Sequence, residues 1–115
     1  MGARCTFIFK QSDTEAVALY SHWGEDSMYE DLAAALRHAA PRLGDHSYYV
    51  RMAVSYLMQD SILDETGYGL YACNPNDLGF ADHPIVINLV DNTVEDDTGI
   101  HAINDFINYH AGVTV

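Results

Sequence analysis

His22 and Trp23 stand side by side in LYSHWGEDSMYED, residues 19–31, with Glu25, Asp26, Glu30 and Asp31 close behind. An imidazole next to an indole can stack on a planar ligand and hydrogen-bond it, which makes His22 and Trp23 a candidate ligand platform. The acids have a second explanation. Ser27 and Glu30 have the S-x-x-E spacing of a capping box, and Asp26, Glu30 and Asp31 suit the positive end of a helix dipole. The favoured reading of the stretch is therefore a turn followed by a helix start, with Trp23 covering the edge of a core and His22 exposed beside it.

Other chemistries find less support in the residue spacing. Cys5 and Cys73 could act as nucleophiles only with a histidine in hydrogen-bond reach, and neither sits in a strand-to-helix elbow. Their separation, in a chain with no export signal at its start, points to free buried thiols. The six histidines, His22, His38, His46, His83, His101 and His110, show no H-x-x-x-H spacing, and no C-x-x-C accompanies them. DNTVEDDTG, residues 91–99, has the carboxylates of a calcium loop, but Asp96 occupies the sixth position, where the tight turn needs glycine. No glycine-rich phosphate cradle is present, and every carboxylate pair has a helix-cap or surface explanation. Neither an enzymatic activity nor a cofactor is expected.

Charge says more. The chain has 115 residues, 17 acids and 5 bases, a formal net charge of −12. All the bases (Arg4, Lys10, Arg37, Arg42, Arg51) fall in residues 1–51, while residues 52–115 hold ten acids and no Lys or Arg. Such a surface repels phosphate backbones and anionic lipid, so direct nucleic-acid and membrane binding are both disfavoured. It attracts basic protein surfaces, including those built to hold nucleic acid, and steers encounter with them. Two alternatives are solubility in a high-salt habitat, which a single Lys among twelve Asp would suit, and plain monodispersity.

These groups must be positioned by one domain, because the length closes a single core and the 49% hydrophobic content exceeds what a disordered chain carries. CTFIFK and EAVALYS read as a hairpin with Phe7 opposite Val17 and Cys5 opposite Leu19, which gathers Cys5, Phe7, Phe9, Val17 and Leu19 on one face and turns Tyr20 and His22 to the other. Met28, Leu32, Ala35 and Leu36 form the stripe of a helix stopped by Pro41. A second helix over residues 46–63, with Asp45 as its cap, follows from the spacing of Tyr49, Met52, Ala53, Tyr56 and Leu57. YGLYAC and PIVINLV are strands, Asp91 and Asn92 turn the latter into TVEDD, and a last helix buries Ile100, Ile103, Phe106 and Ile107. The order β-β-α-α-β-β-β-α predicts an α+β domain, an antiparallel sheet of about five strands with helices packed on one face.

MGAR, a hairpin, and then LYSHWG, carried by Gly2, Arg4, Tyr20, His22, Trp23 and Gly24, resemble the opening of small proteins encoded by bacteriophages and prophages. The resemblance covers about the first 36 residues and implies a compact acidic protein of the kind phages use to block host enzymes, anti-CRISPR proteins included. With the charge distribution, it leads to the expectation of a cytoplasmic inhibitor that occludes a basic nucleic-acid-binding surface on a host protein or ribonucleoprotein complex. Asp60, Asp64, Glu65, Asp91, Glu95, Asp96 and Asp97 would form a single patch imitating nucleic acid, with Tyr68 and Tyr71 as anchors. A small-ligand or nucleotide-signal binder using Trp23 and the tyrosines is the alternative, and exposed strands allow for a homodimer.

Overall fold

The computed structural model describes residues 4–22 and 27–110. Strands β1 (Cys5–Lys10) and β2 (Ala16–Ser21) are followed by helix α1 (Met28–Ala39), a short 3-10 turn (Ala40–Arg42) and helix α2 (His46–Leu57). Strands β3 (Tyr68–Cys73), β4 (Pro84–Asn88), β5 (Thr93–Asp96) and β6 (Gly99–Ala102) precede helix α3 (Ile103–His110). The six strands form one sheet in the order β3-β2-β1-β4-β5-β6. The α+β class and the helical layer are as expected, with one more strand. Four pairings are antiparallel, but β1 and β4 run parallel: the helices join the antiparallel neighbours β2 and β3, and the loop over residues 74–83, whose Leu78 packs on the face opposite the helices, carries the chain from β3 across to β4 in the same direction.

β1 is central and is buried on both faces, which explains why CTFIFK alternates only weakly. Cys5, Phe7, Phe9 and Leu19 meet Ile85, Ile87 and Val94 beneath Leu32, Leu36 and Phe106 of the helices. On the opposite face Ile8, Ala16 and Ala18 form a smaller cluster, against which Cys73, Leu78 and Val86 pack. Neither cysteine forms a disulfide; Cys5 is buried and Cys73 half-buried.

Several local expectations are corrected. Phe7 faces Leu19 and Cys5 faces Ser21, a shift of two residues that leaves the core face unchanged because side chains alternate with a period of two. The shift follows from the tight turn, where the Gln11 and Ser12 amides donate to the Glu15 carbonyl. Ser27 forms no side-chain cap; its hydroxyl donates to Asp31 at 2.8 Å instead. α2 ends at Leu57 rather than residue 63. Beyond it the chain turns, with Ser61 N–H donating to the Met58 carbonyl at 2.7 Å, and Leu63 is 96% exposed. Strand β4 stops at Asn88, whose side-chain oxygen accepts from the Val90 and Asp91 amides. Ile100, expected in the buried stripe of the last helix, lies on β6 and is 66% exposed. Gly99 makes this strand reachable: its φ of +131° is open to glycine and lets Asp97 and Thr98 turn β5 directly back.

Tyr49 is fully buried in the main core, and its hydroxyl has no hydrogen-bond partner among the described residues. Burial pushes its phenol well above the ordinary value. A buried hydroxyl without a partner loses its hydration and gains nothing in exchange. Tyr49→Phe is therefore expected to stabilise the fold by about 1 kcal/mol, read as a higher urea midpoint at unchanged slope.

Candidate functional site: an acidic, ring-lined cleft

The contact residues expected from the sequence fall into two groups. Asp60, Asp64 and Glu65 are exposed in the turns between α2 and β3, and Tyr68 and Tyr71 follow on β3. Asp91, Glu95, Asp96 and Asp97 belong to the β4-β5-β6 meander. β3 and β5 are four strand spacings apart, about 19 Å, so the groups lie toward opposite sides of the sheet and form no single patch. The separation is the product of the parallel β1-β4 pairing, which sets the first three strands on one side and the last three on the other.

The tyrosines also differ from the expected anchors. Tyr68 is half-buried, and its hydroxyl donates to the Leu57 carbonyl at 3.3 Å. Tyr71 packs edge-on against Phe80, with ring centroids 5.6 Å apart. Within the second group, Asp91 lies in the β4-β5 turn and takes a hydrogen bond from the Asn88 side chain. Glu95 is exposed and stands on the strand face opposite buried Val94. Asp96 returns to the helical face, and Asp97 pairs with His83 at 3.2 Å.

Asp96 is the structural centre of the β5-β6 turn. Its side chain is 3% exposed, and its Oδ1 accepts from the Thr98 amide at 2.8 Å and the Thr98 hydroxyl at 2.7 Å. His101 Nε2 lies 3.3 Å from the same oxygen and 2.9 Å from Thr98 Oγ1. Thr98, His101 and Asp96 have the residue types of a nucleophile relay but not its geometry. Both partners meet the same imidazole nitrogen, whereas a relay needs the two nitrogens to face opposite groups. The cluster locks the turn. Burial alone would raise the Asp96 carboxyl, but the two Thr98 hydrogen bonds and the His101 contact outweigh it and hold it below its ordinary value of 3.8.

The sign of the linkage follows. A carboxyl whose folded value is depressed stabilises the native state above its unfolded value, and that contribution is lost as pH falls through the folded value. Asp96→Asn is therefore expected to lower stability at neutral pH by about 1–3 kcal/mol, and the difference from the parent should shrink below the ordinary Asp range. Urea denaturation of both proteins along an acid series checks it.

Beside this turn, α3 brings a set of rings against α1. Tyr29 stacks on His110 with centroids 5.2 Å apart and planes 21° from parallel. Phe106 lies 4.5 Å from the same imidazole, and Tyr109 meets it edge-on at 4.8 Å. Between the rings and the turn is a cleft of ≈ 430 Å³, with Asp96, Thr98, His101 and Asp105 completing the lining. Phe106 is buried, whereas Tyr109 is 79% exposed and Asp105 is exposed, so the cleft opens to solvent on the α3 side. Burial first, then the negative charges of Asp97 and Asp96, push the Tyr29 phenol up. Cleft and hairpin therefore share a negative field.

Of the cleft residues, only Asp96 figured in the sequence-based contact set. The available signal was the spacing of Phe106, Tyr109 and His110, three rings at intervals of three and four on one helical face. Tyr29 could not be added from sequence, because its place depends on how α1 packs against α3.

His22 lines a second cleft of ≈ 390 Å³ with Tyr20, Thr66, Gly67, Tyr68 and Gly69. Tyr20 Oη and His22 Nδ1 are 3.0 Å apart, and the His22 amide donates to the Gly67 carbonyl at 2.9 Å. Trp23, the other half of the expected platform, lies outside the described residues, as do Glu25 and Asp26. No Lys or Arg is among the described residues lining this cleft, so phosphate recognition there gains no support. Among the described residues no group of three or more His, Cys, Asp or Glu side chains is placed to hold a metal ion. No described helix is long and apolar enough to cross a membrane.

Comparison with protein-family profiles, curated proteins and solved structures found no match to this chain.

Proposed function

We propose that this protein binds a basic, nucleic-acid-handling surface on another protein and occludes it, as an anti-defence inhibitor of the kind its resemblance to small phage proteins implies. The observation that carries this reading is the charge of the β4-α3 segment. Asp91, Glu95, Asp96, Asp97 and Asp105 all fall there, in a half of the chain with no Lys or Arg. Among the described residues the ion pairs of these acids are with histidines, His83 to Asp97 and His101 to Asp96. Arg37, Arg42 and Arg51 are exposed on the helical layer instead, around the connection from α1 to α2. Exposed acids that are not neutralised by a Lys or Arg ion pair among the described residues attract a cationic partner at low ionic strength and accelerate its approach. The contact in this reading is local to the last hairpin and α3, not a row running the length of the molecule.

The test is displacement. Added to a purified RNA-guided nuclease complex, the protein should compete with labelled target DNA in a gel-shift assay, and the competition should weaken as salt rises. Undiminished DNA binding at a large excess of the protein, across a panel of such complexes, would discard the proposal.

A further inference from the structure

Resting on that reading, we propose that the cleft between the β5-β6 turn and α3 receives an arginine side chain of the basic partner, which stacks on Tyr109 and pairs with Asp105. The cleft volume of ≈ 430 Å³ lies in the lower part of the range of small-ligand pockets, about 300–1,000 Å³, and suits a side-chain head group better than a peptide segment. Its walls combine two features that separately favour a cation. Ring faces attract positive charge through their quadrupole, and carboxylates attract it directly. Tyr29, Phe106 and Tyr109 supply the rings; Asp96 and Asp105 supply the charge.

The two carboxylates have different duties. Asp96 has its Oδ1 engaged by Thr98 and His101 and its side chain 3% exposed, so it contributes field rather than contact. Asp105 is exposed at the cleft and makes no side-chain hydrogen bond among the described residues, so its oxygens remain available to an incoming donor. Tyr109 is 79% exposed and meets the His110 ring edge-on, and covering it would remove apolar area from water. Guanidinium is favoured over ammonium because it is planar and weakly hydrated. It can lie on a ring and still present paired N–H donors to a carboxylate, whereas the ammonium of lysine is a compact, strongly hydrated point charge.

The probe is a pair of blocked peptides, one carrying two arginines between glycines and the other two lysines, titrated into the full-length ¹⁵N-labelled protein. The arginine peptide should shift the amides of Thr98, Asp105, Phe106 and Tyr109 and bind about threefold or more tighter than its lysine twin. Tyr109→Ala should weaken the arginine peptide about tenfold, Asp105→Asn by a similar factor, and Tyr109→Phe should retain binding because the ring is kept. Both positions are exposed, and an unchanged spectrum away from the cleft verifies that each variant is folded. Shifts that gather around Asp60 and Asp64, or binding indifferent to Tyr109→Ala, would overturn the arginine assignment while displacement of DNA by the parent protein kept the broader reading. Failure of that displacement would remove both.

Discussion

Phe9→Ala is expected to cost about 3–5 kcal/mol, a large share of the roughly 5–15 kcal/mol that holds a domain folded. Phe9 is fully buried at the middle of the sheet, on β1, which pairs with β2 on one side and β4 on the other. Its neighbours across the ladders are Val17 and Ile87, and it belongs to the cluster that also contains the α1 stripe and Phe106. Truncation there removes a large apolar side chain and leaves a cavity that a central strand, held by two ladders, cannot collapse to fill. Thermal or urea unfolding followed by circular dichroism measures the loss. Leu63→Ala is the control: its side chain is almost wholly exposed, and its effect should stay within about 0.5 kcal/mol.

The second large effect is on binding. Reversing Glu95, Asp97 and Asp105 to lysine is expected to weaken displacement of nucleic acid by about 10²-fold or more, since each change replaces attraction to a cationic surface by repulsion. Reversing Asp60, Asp64 and Glu65 should change it by less than about threefold, because a contact centred on the last hairpin leaves that group on the far side of the sheet. All six acids are exposed, so the comparison holds net charge equal between the two variants and varies only where it changes. Competition assays with both triple variants, at one ionic strength, report the ratio. Equal loss in the two would mean that total charge, not place, governs the interaction.

Much of the fold could be read from residue patterns, and the exceptions have physical causes. Met28, Leu32, Ala35 and Leu36 announced α1 because a long amphipathic stripe admits one interpretation, and all four are buried. Ile100, Ile103 and Ile107 mimic the same spacing, so β6 was concealed inside an apparent helix. Ile100 is set apart from the other two because Gly99, with its positive φ, turns residues 99–102 back to pair with β5 before α3 begins at Ile103. The pattern of Tyr49 through Leu57 gives α2 no sharp stop in the sequence: Met58, Ile62 and Leu63 are apolar as well, though the latter two end up exposed. Strand order depends on the parallel pairing of β1 with β4, a contact between residues nearly eighty positions apart that no local pattern encodes.

The same distinction governs the candidate site. Charge segregation is a property of composition and can be read from residue types alone. Grouping of the charges is a property of topology and cannot, because acids that share half of the chain need not share a surface. Asp96 illustrates the point: counted from sequence among exposed contact residues, it is folded into the turn by Thr98 and His101 and serves the hairpin first. The rings of the cleft belong to α1 and α3 and meet only when both helices dock on the sheet.

Hydrogen-exchange footprinting of the full-length protein, free and bound to a nuclease complex that it displaces from DNA, tests the central claim most directly. Binding through the last hairpin and α3 predicts slowed exchange across β5, β6 and the start of α3, with the turns between α2 and β3 unchanged. Protection centred on residues 58–73, or on the His22 cleft, with β5, β6 and α3 exchanging as in the free protein, would contradict it.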